Sequence, residues 1–320
     1  MKDPQPTMHP IWRLVHSGGG GAFFLALWFV ACDAFQDPSG PSLTIYTSQD
    51  QVYAEPIFKA FEETSGIRVK ALYDHESVKS MGLAKRLVAE KDHPVCDLFW
   101  SNESLTMRQL LEKEVIHSLE SFGYRSRVMI INTRAMTPDK APATLLEWAE
   151  PQWRNRCVMA YPLFGTTATH MLALRQKWGD EAWSHWCQKL ADNGLRTVDG
   201  NSAVVQMVGR GDAWIGLTDS DDLAVGLRQG LPLVSIPLNQ ELCPIVNSVG
   251  WVQGRDHGAL VDSFVSFLKA PTTLQAMVEQ SALVSQGPPP EDAPWLKPTW
   301  EPLLKDASTG LDQMKHFFMP

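Results

Sequence analysis

The chain has 320 residues, a length that accommodates two domains of ordinary size. Its 44% hydrophobic and 20% charged residues, with 12 tryptophans, exclude a disordered protein and promise substantial cores. A net charge of −8, with no basic stripe interleaved with aromatics, excludes a nucleic-acid partner.

At the N-terminus, Lys2, Arg13 and His16 precede four glycines and the ten apolar residues AFFLALWFVA (22–31). That run is about half of the ~20 residues a spanning helix needs, and it suits the core of a signal peptide. It ends in Phe29-Val30-Ala31-Cys32, which is similar to a bacterial lipobox. Residues 1–32 are therefore read as a signal peptide whose Cys32 is lipidated and anchors the mature chain to a membrane. An ordinary cleaved signal peptide is the alternative. Residues 33–41 form a short tether, and on either reading the protein is exported. Cys96, Cys157, Cys187 and Cys243 remain. Their wide spacing indicates no metal-thiolate site, and core thiols are as well supported as disulfides.

Strands are expected at residues 42–46, 67–72 and 95–100, alternating with helices at 52–64, 78–89 and 105–113. This alternation predicts βαβ units and a parallel sheet. A strand at 127–131 is read as the crossing into a second lobe. There, a short helix at 142–148 is followed by a strand at 157–161 and helices at 168–178 and 180–191. The stretch VDGNSAVVQMVGRGDAWIGLTDSDD (198–222) is read as a turn, a helix capped by Asn201 or Ser202 and ended by Gly209 and Gly211, a strand at 213–217 and an acidic tip. A helix at 223–229 and strands at 231–236 and 245–251 carry the chain back to the first lobe. Helices follow at 259–268 and 272–279. Beyond the proline-rich run from residue 287, one or two helices within 301–318 lie on a lobe surface.

Several strand-to-helix junctions look alike. Ser48, Gln49 and Asp50 follow the first strand, and Asn102 and Glu103 the third. Gly165, Thr166 and Thr167 follow the strand at 157–161, Asn201 and Ser202 open another helix, and Asp219, Ser220, Asp221 and Asp222 follow the strand at 213–217. In open α/β sheets ligands bind beyond the carboxyl ends of strands, so a crevice between two lobes would gather these residues. The bland alternative is that each merely caps a helix. Helix N-termini at Thr166-Thr167 and Asn201-Ser202 suit an anion. Asp50, Glu103, Asp219 and Asp221 are candidate oxygen ligands for a hard cation, with Asp222 beside them. No lysine or arginine occurs in these junctions, which tilts the expectation towards a cation. There is no GxSxG, HExxH, P-loop or GxGxxG motif, and no enzyme activity or cofactor is expected.

The segments LTIYTSQDQVYAEPIFKAFEETSGIRVKALY (43–73), KRLVAEKDHPVCDLFWSNE (85–103), PLFGTTATH (162–170) and the stretch at 198–222 together resemble the extracellular solute-binding proteins of ABC importers, specifically the ferric-iron-binding family. The resemblance implies a two-lobed periplasmic-binding-protein-like α/β fold, a central sheet in each lobe, and crossover hinge strands. It places lobe 1 at 42–130 and 247–286, and lobe 2 at 131–246. It also implies capture of a small ligand by lobe closure and a permease partner in the cytoplasmic membrane, with the chain itself a monomer. By the same likeness Gln49 and Asp50 occupy the first binding loop, and Asn102 or Glu103 the place of the family's glutamate. The adjacent tyrosine pair of that family falls near Ser220-Asp221 and is absent here, since the tyrosines are Tyr46, Tyr53, Tyr73, Tyr124 and Tyr161. The ligand thus stands open among a metal ion such as ferric iron, a metal–anion complex, and a small organic anion or polyol phosphate. An exported hydrolase and a sensor domain are the readings from other classes.

Overall fold

The computed structural model describes residues 40–74, 81–238, 240–256 and 258–319. The expected signal peptide, Cys32 and the tether up to residue 39 lie outside the described residues, as do positions 78–80 of the second helix. Among the described residues no helix is long and apolar enough to cross a membrane.

The chain opens β1 (Ser42–Thr47), α1 (Gln51–Ser65), β2 (Arg68–Tyr73), α2 (Met81–Ala89), β3 (Leu98–Ser101), α3 (Ser104–Glu112). Helix α1 buries Tyr53, Ala54, Ile57, Phe58 and Phe61, one stripe at helical spacing, and stops at Gly66 in the left-handed region. That stripe packs on Trp100 and Phe264, so the core of lobe 1 is largely aromatic.

Strand β4 (Ile116–Asn132) is 17 residues long, far more than the five expected. His117, Ser118, Glu120 and Ser121 blur its apolar period, which hides the first half from a pattern search. β4 belongs to both sheets: up to Ser126 it pairs with β9 (Pro244–Val252), and from Arg127 it pairs with β7 (Ile215–Asp219). The strand order is β2-β1-β3-β9-β4-β7-β5-β6, where β5 is Cys157–Ala160 and β6 Arg196–Val198. β8 (Leu233–Ile236) and the short β10 (Ser285–Gln286) both add to β4. Pairing is parallel within the βαβ units and antiparallel wherever β4 or β9 takes part, so each lobe's sheet is mixed rather than purely parallel.

In lobe 2, α4 (Gly165–Trp178), α5 (Asp180–Asp192), α6 (Asn201–Arg210) and α7 (Ser220–Arg228) surround the sheet. The helix expected at 142–148 is only a 3-10 turn, Leu146–Ala149, because Pro142 and Pro151 leave no room for a full helix. Gly209 does not end α6. It lies inside that helix, where a Cβ would come within 2.7 Å of Leu231 Cδ1, and Gly211 (φ +86°) makes the stop. Helices α8 (Gly258–Leu268) and α9 (Pro271–Glu279) return to lobe 1. The C-terminal segment is one helix, α10 (Trp300–Phe318), and it is no surface ornament. Leu303, Ala307, Met314 and Phe318 enter the core that holds Trp183 and Trp186. All four described cysteines are free thiols buried in these cores, and burial pushes Cys157 and Cys243 up to about 12.

Candidate functional site

Strand β4 carries Arg125 and Arg127 two residues apart, hence on one face. Both are buried, at 3% and 0% exposure, and a buried guanidinium requires a partner. The antiparallel register sets Arg127 directly opposite Asp219. Arg127 Nη1 donates to Asp219 Oδ1, and also to Asn201 Oδ1 at 3.0 Å and Thr166 Oγ1 at 3.2 Å. Asp219 Oδ2 accepts from Thr166 Oγ1 at 2.8 Å and Asn201 Nδ2 at 3.0 Å. Arg125 Nη1 lies 2.5 Å from Asp221 Oδ2 and 3.4 Å from Asp219 Oδ2. Burial works against the Arg125 charge, but Asp221 and Asp219 outweigh it and hold its pKa above the ordinary value. These side chains form one buried ionic knot.

The knot corrects the expectation of an uncompensated acidic tip. Asp219 and Asp221 are answered by two arginines that come from the middle of a strand rather than from any junction. Glu103 is likewise engaged: its carboxylate accepts from the amides of Leu105 at 2.6 Å and Thr106 at 2.8 Å, capping α3, and from the Thr169 hydroxyl of α4 across the lobe boundary. Asn201 does not cap α6. Gly200 (φ +109°) holds that position, which frees the Asn201 side chain to turn into the knot.

Above the knot lies a cleft of about 50 Å3, room for a few water-sized groups. Asp50 and Asn102 line it from lobe 1, with Glu103 at its edge. Gly165, Thr166, Thr167, Asn201, Asp219 and Asp222 line it from lobe 2. The structure thus gathers nine of the junction residues around one cleft. Five others do not line it. Ser48 supports Asn102 through a 3.1 Å hydrogen bond, Ser220 accepts from the Ser126 amide at 3.1 Å, and Asp221 serves Arg125. Gln49 is buried and Ser202 faces outward. The sequence reading missed Arg125, Tyr161, Phe164 and Gly200 in the lining. For the arginines a signal exists in retrospect: cations at i and i+2 before an apolar run imply buried counter-charges on that face.

Two helix N-termini open into the cleft without side-chain caps, α4 at Gly165 and α6 at Asn201. Their first-turn amides have no intrahelical acceptor and carry the positive dipole end. The Thr167 hydroxyl, 1% exposed, finds no hydrogen-bond partner among the described residues. Facing them, the Asp222 carboxyl is raised well above its ordinary value, first by burial and then by Asp221, Asp219 and Asp50. Asp219, Asp221 and Asp222 place one oxygen each within 4.8 Å of one another, a grouping that could hold a metal ion. The knot already engages the first two. Beneath it His170, fully buried, is pushed down to about 3 by burial and by Arg127, with Nε2 2.5 Å from the Glu241 carbonyl.

Residues 43–280 match the family described as bacterial extracellular solute-binding protein. A major ferric iron-binding protein of Neisseria gonorrhoeae is 26% identical over 255 residues, covering 73% of this chain and 72% of its own length. Among solved structures, iron-bound HitA from Pseudomonas aeruginosa superposes with a TM-score of 0.74 at 19% identity, covering 87% of this chain and 99% of the other. AfuA from Actinobacillus pleuropneumoniae, with fructose-6-phosphate bound, gives 0.75 at 15% identity, over 88% and 99% of the two chains. At these identities the structural likeness speaks for the two-lobed fold.

Proposed function

The chain belongs to the bacterial extracellular solute-binding proteins, and from that premise we propose that it captures a hard metal cation together with a small oxyanion, ferric iron being the leading cation. One observation carries the reading: the cleft sets carboxylates of both lobes, Asp50 and Asp222, against two uncapped helix N-termini. A hard cation takes oxygen ligands from carboxylates, and an oxyanion takes the amides of Gly165, Thr166 and Thr167 with the Thr167 hydroxyl. Each half of such a ligand cancels the charge that one wall presents. Without the tyrosine pair the protein supplies few ligands of its own, so the anion completes the coordination. The curated relative named for ferric iron supports the cation.

Capture then proceeds by closure about β4 and the link between β8 and β9, with the ligand bridging the lobes. A membrane permease receives it, and Cys32 holds the protein near that permease; Cys32→Ser should move the protein from the membrane fraction to the soluble one. The decisive test is calorimetric titration of the ligand-free protein with ferric citrate, citrate alone and fructose-6-phosphate. Ferric citrate should bind at least tenfold tighter than either anion. Equal or tighter binding of fructose-6-phosphate would instead support a polyol phosphate held at the same helix ends, which the Thr167 hydroxyl, without a partner among the described residues, also suits.

A further inference from the structure

We propose that an apolar compartment beside the cleft receives the organic limb of the chelator, so that the cargo is a metal complex of an aryl- or alkyl-bearing anionic chelator. This rests on the metal–oxyanion reading of the cleft. The compartment has a volume of about 270 Å3, against about 50 Å3 for the cleft. An aryl or alkyl limb does not fit the cleft beside the metal and its oxyanion groups, whereas the two spaces together hold a small aromatic chelator.

The spaces adjoin. Glu103, Phe164 and Gly165 line both of them. At Gly165, on that shared wall, a Cβ would meet no atom within 4 Å, so nothing crowds the wall there. In the second space, Val88 of α2, Leu110 of α3, Leu163 just before α4, Ala168 in its first turn and Leu311 of α10 supply an apolar wall from both lobes. Val88 is 39% exposed, an apolar side chain left at the rim of a protein that buries most of its others.

Charge points the same way. Lys85 and Lys113 belong to the compartment's lining, beside a cleft otherwise rich in carboxylates. Glu103 at the boundary has both oxygens engaged by Leu105, Thr106 and Thr169, so it does not repel an anionic limb with an unpaired carboxylate. An apolar body carrying negative charge matches this wall; a bare sugar phosphate or a free aqua ion leaves it unused.

The test compares ferric citrate with ferric 2,3-dihydroxybenzoate, an aryl chelator, by calorimetry on the full chain. The aryl complex should bind at least tenfold tighter. Val88→Glu, at a half-exposed helix position that tolerates the change, should abolish that preference and leave ferric citrate affinity within twofold of the parent. A metal-free arm separates the two levels of the proposal. One equivalent of 1-anilinonaphthalene-8-sulfonate should bind, be lost in Val88→Glu, and persist in Asp222→Asn. Equal affinity of the parent for both ferric complexes, or an equal loss of both in Val88→Glu, overturns the compartment and marks the groove as a surface for another protein. If the dye binds as stated while neither ferric complex does, the metal reading falls and the apolar compartment is retained for a metal-free anion.

Discussion

Asp219 and Asp222 lie at one end of α7, a single turn apart, yet they live in different regions of the site. Asp219 sits in the knot, where Arg127, Arg125, Thr166 and Asn201 occupy its oxygens. Asp222 faces the cleft, where burial and three neighbouring carboxylates work against its ionised form. The knot is architecture: it ties β4 to β7 and braces the helix N-termini through Thr166 and Asn201. The cleft lining is held in a state that a bound cation would relieve. Charge density alone does not mark a binding group; the partners it already has decide.

The comparison can be broken most forcefully at Arg127. Arg127→Met leaves Asp219 buried and half-answered, and should lower unfolding stability by about 3–5 kcal/mol. Chemical denaturation checks this, and a loss below about 1 kcal/mol would show that the knot is not structural.

Next in size is Asp222→Asn, which should leave stability unchanged or raised and cost at least tenfold in ferric citrate affinity by calorimetry. If affinity holds while stability drops, the roles assigned to the two aspartates are reversed.

His170 reports on the knot from beneath. Its imidazole is pushed down to about 3, whereas the unfolded chain takes up that proton near the ordinary 6.5. The unfolded state therefore binds more protons between these values, and stability falls as pH drops through that window, by at most about 1.4 kcal/mol per pH unit. Urea midpoints measured from pH 7 to 4 should fall less steeply in His170→Asn than in the parent. Parallel slopes would remove His170 from the account.

The smallest effect is expected at the helix ends. Thr167→Val keeps the shape, removes one donor, and should weaken ferric citrate a few-fold, in line with ~0.5–1.5 kcal/mol for one hydrogen bond. Stability should not move, because that hydroxyl has no partner among the described residues to lose.

The fold was largely legible along the chain. Apolar stripes such as Tyr53, Ile57, Phe58 and Phe61 set helix α1 and its buried face, and Cys157–Ala160 forms the strand expected at 157–161. The gathering of the junctions was legible too, since it follows from strand ends sharing one edge. What escaped were elements whose pattern is weak: the first half of β4, with its polar interruptions, and the three-residue edge strand β6.

The sequence by itself determined which residues stand at strand ends, which helices begin beside them, and that the cleft between two lobes would be polar. Only the tertiary structure decided which of those carboxylates the two arginines of β4 engage. Arg125 and Asp221 are 96 positions apart and Arg127 and Asp219 are 92, and nothing in local periodicity links them. Their pairing follows from β4 lying next to β7 in the register that sets Arg127 against Asp219. Periodicity reports the face on which a side chain lies, because it arises from the backbone repeat. Its partner is fixed by strand order, which the burial of whole sheets and helices decides together.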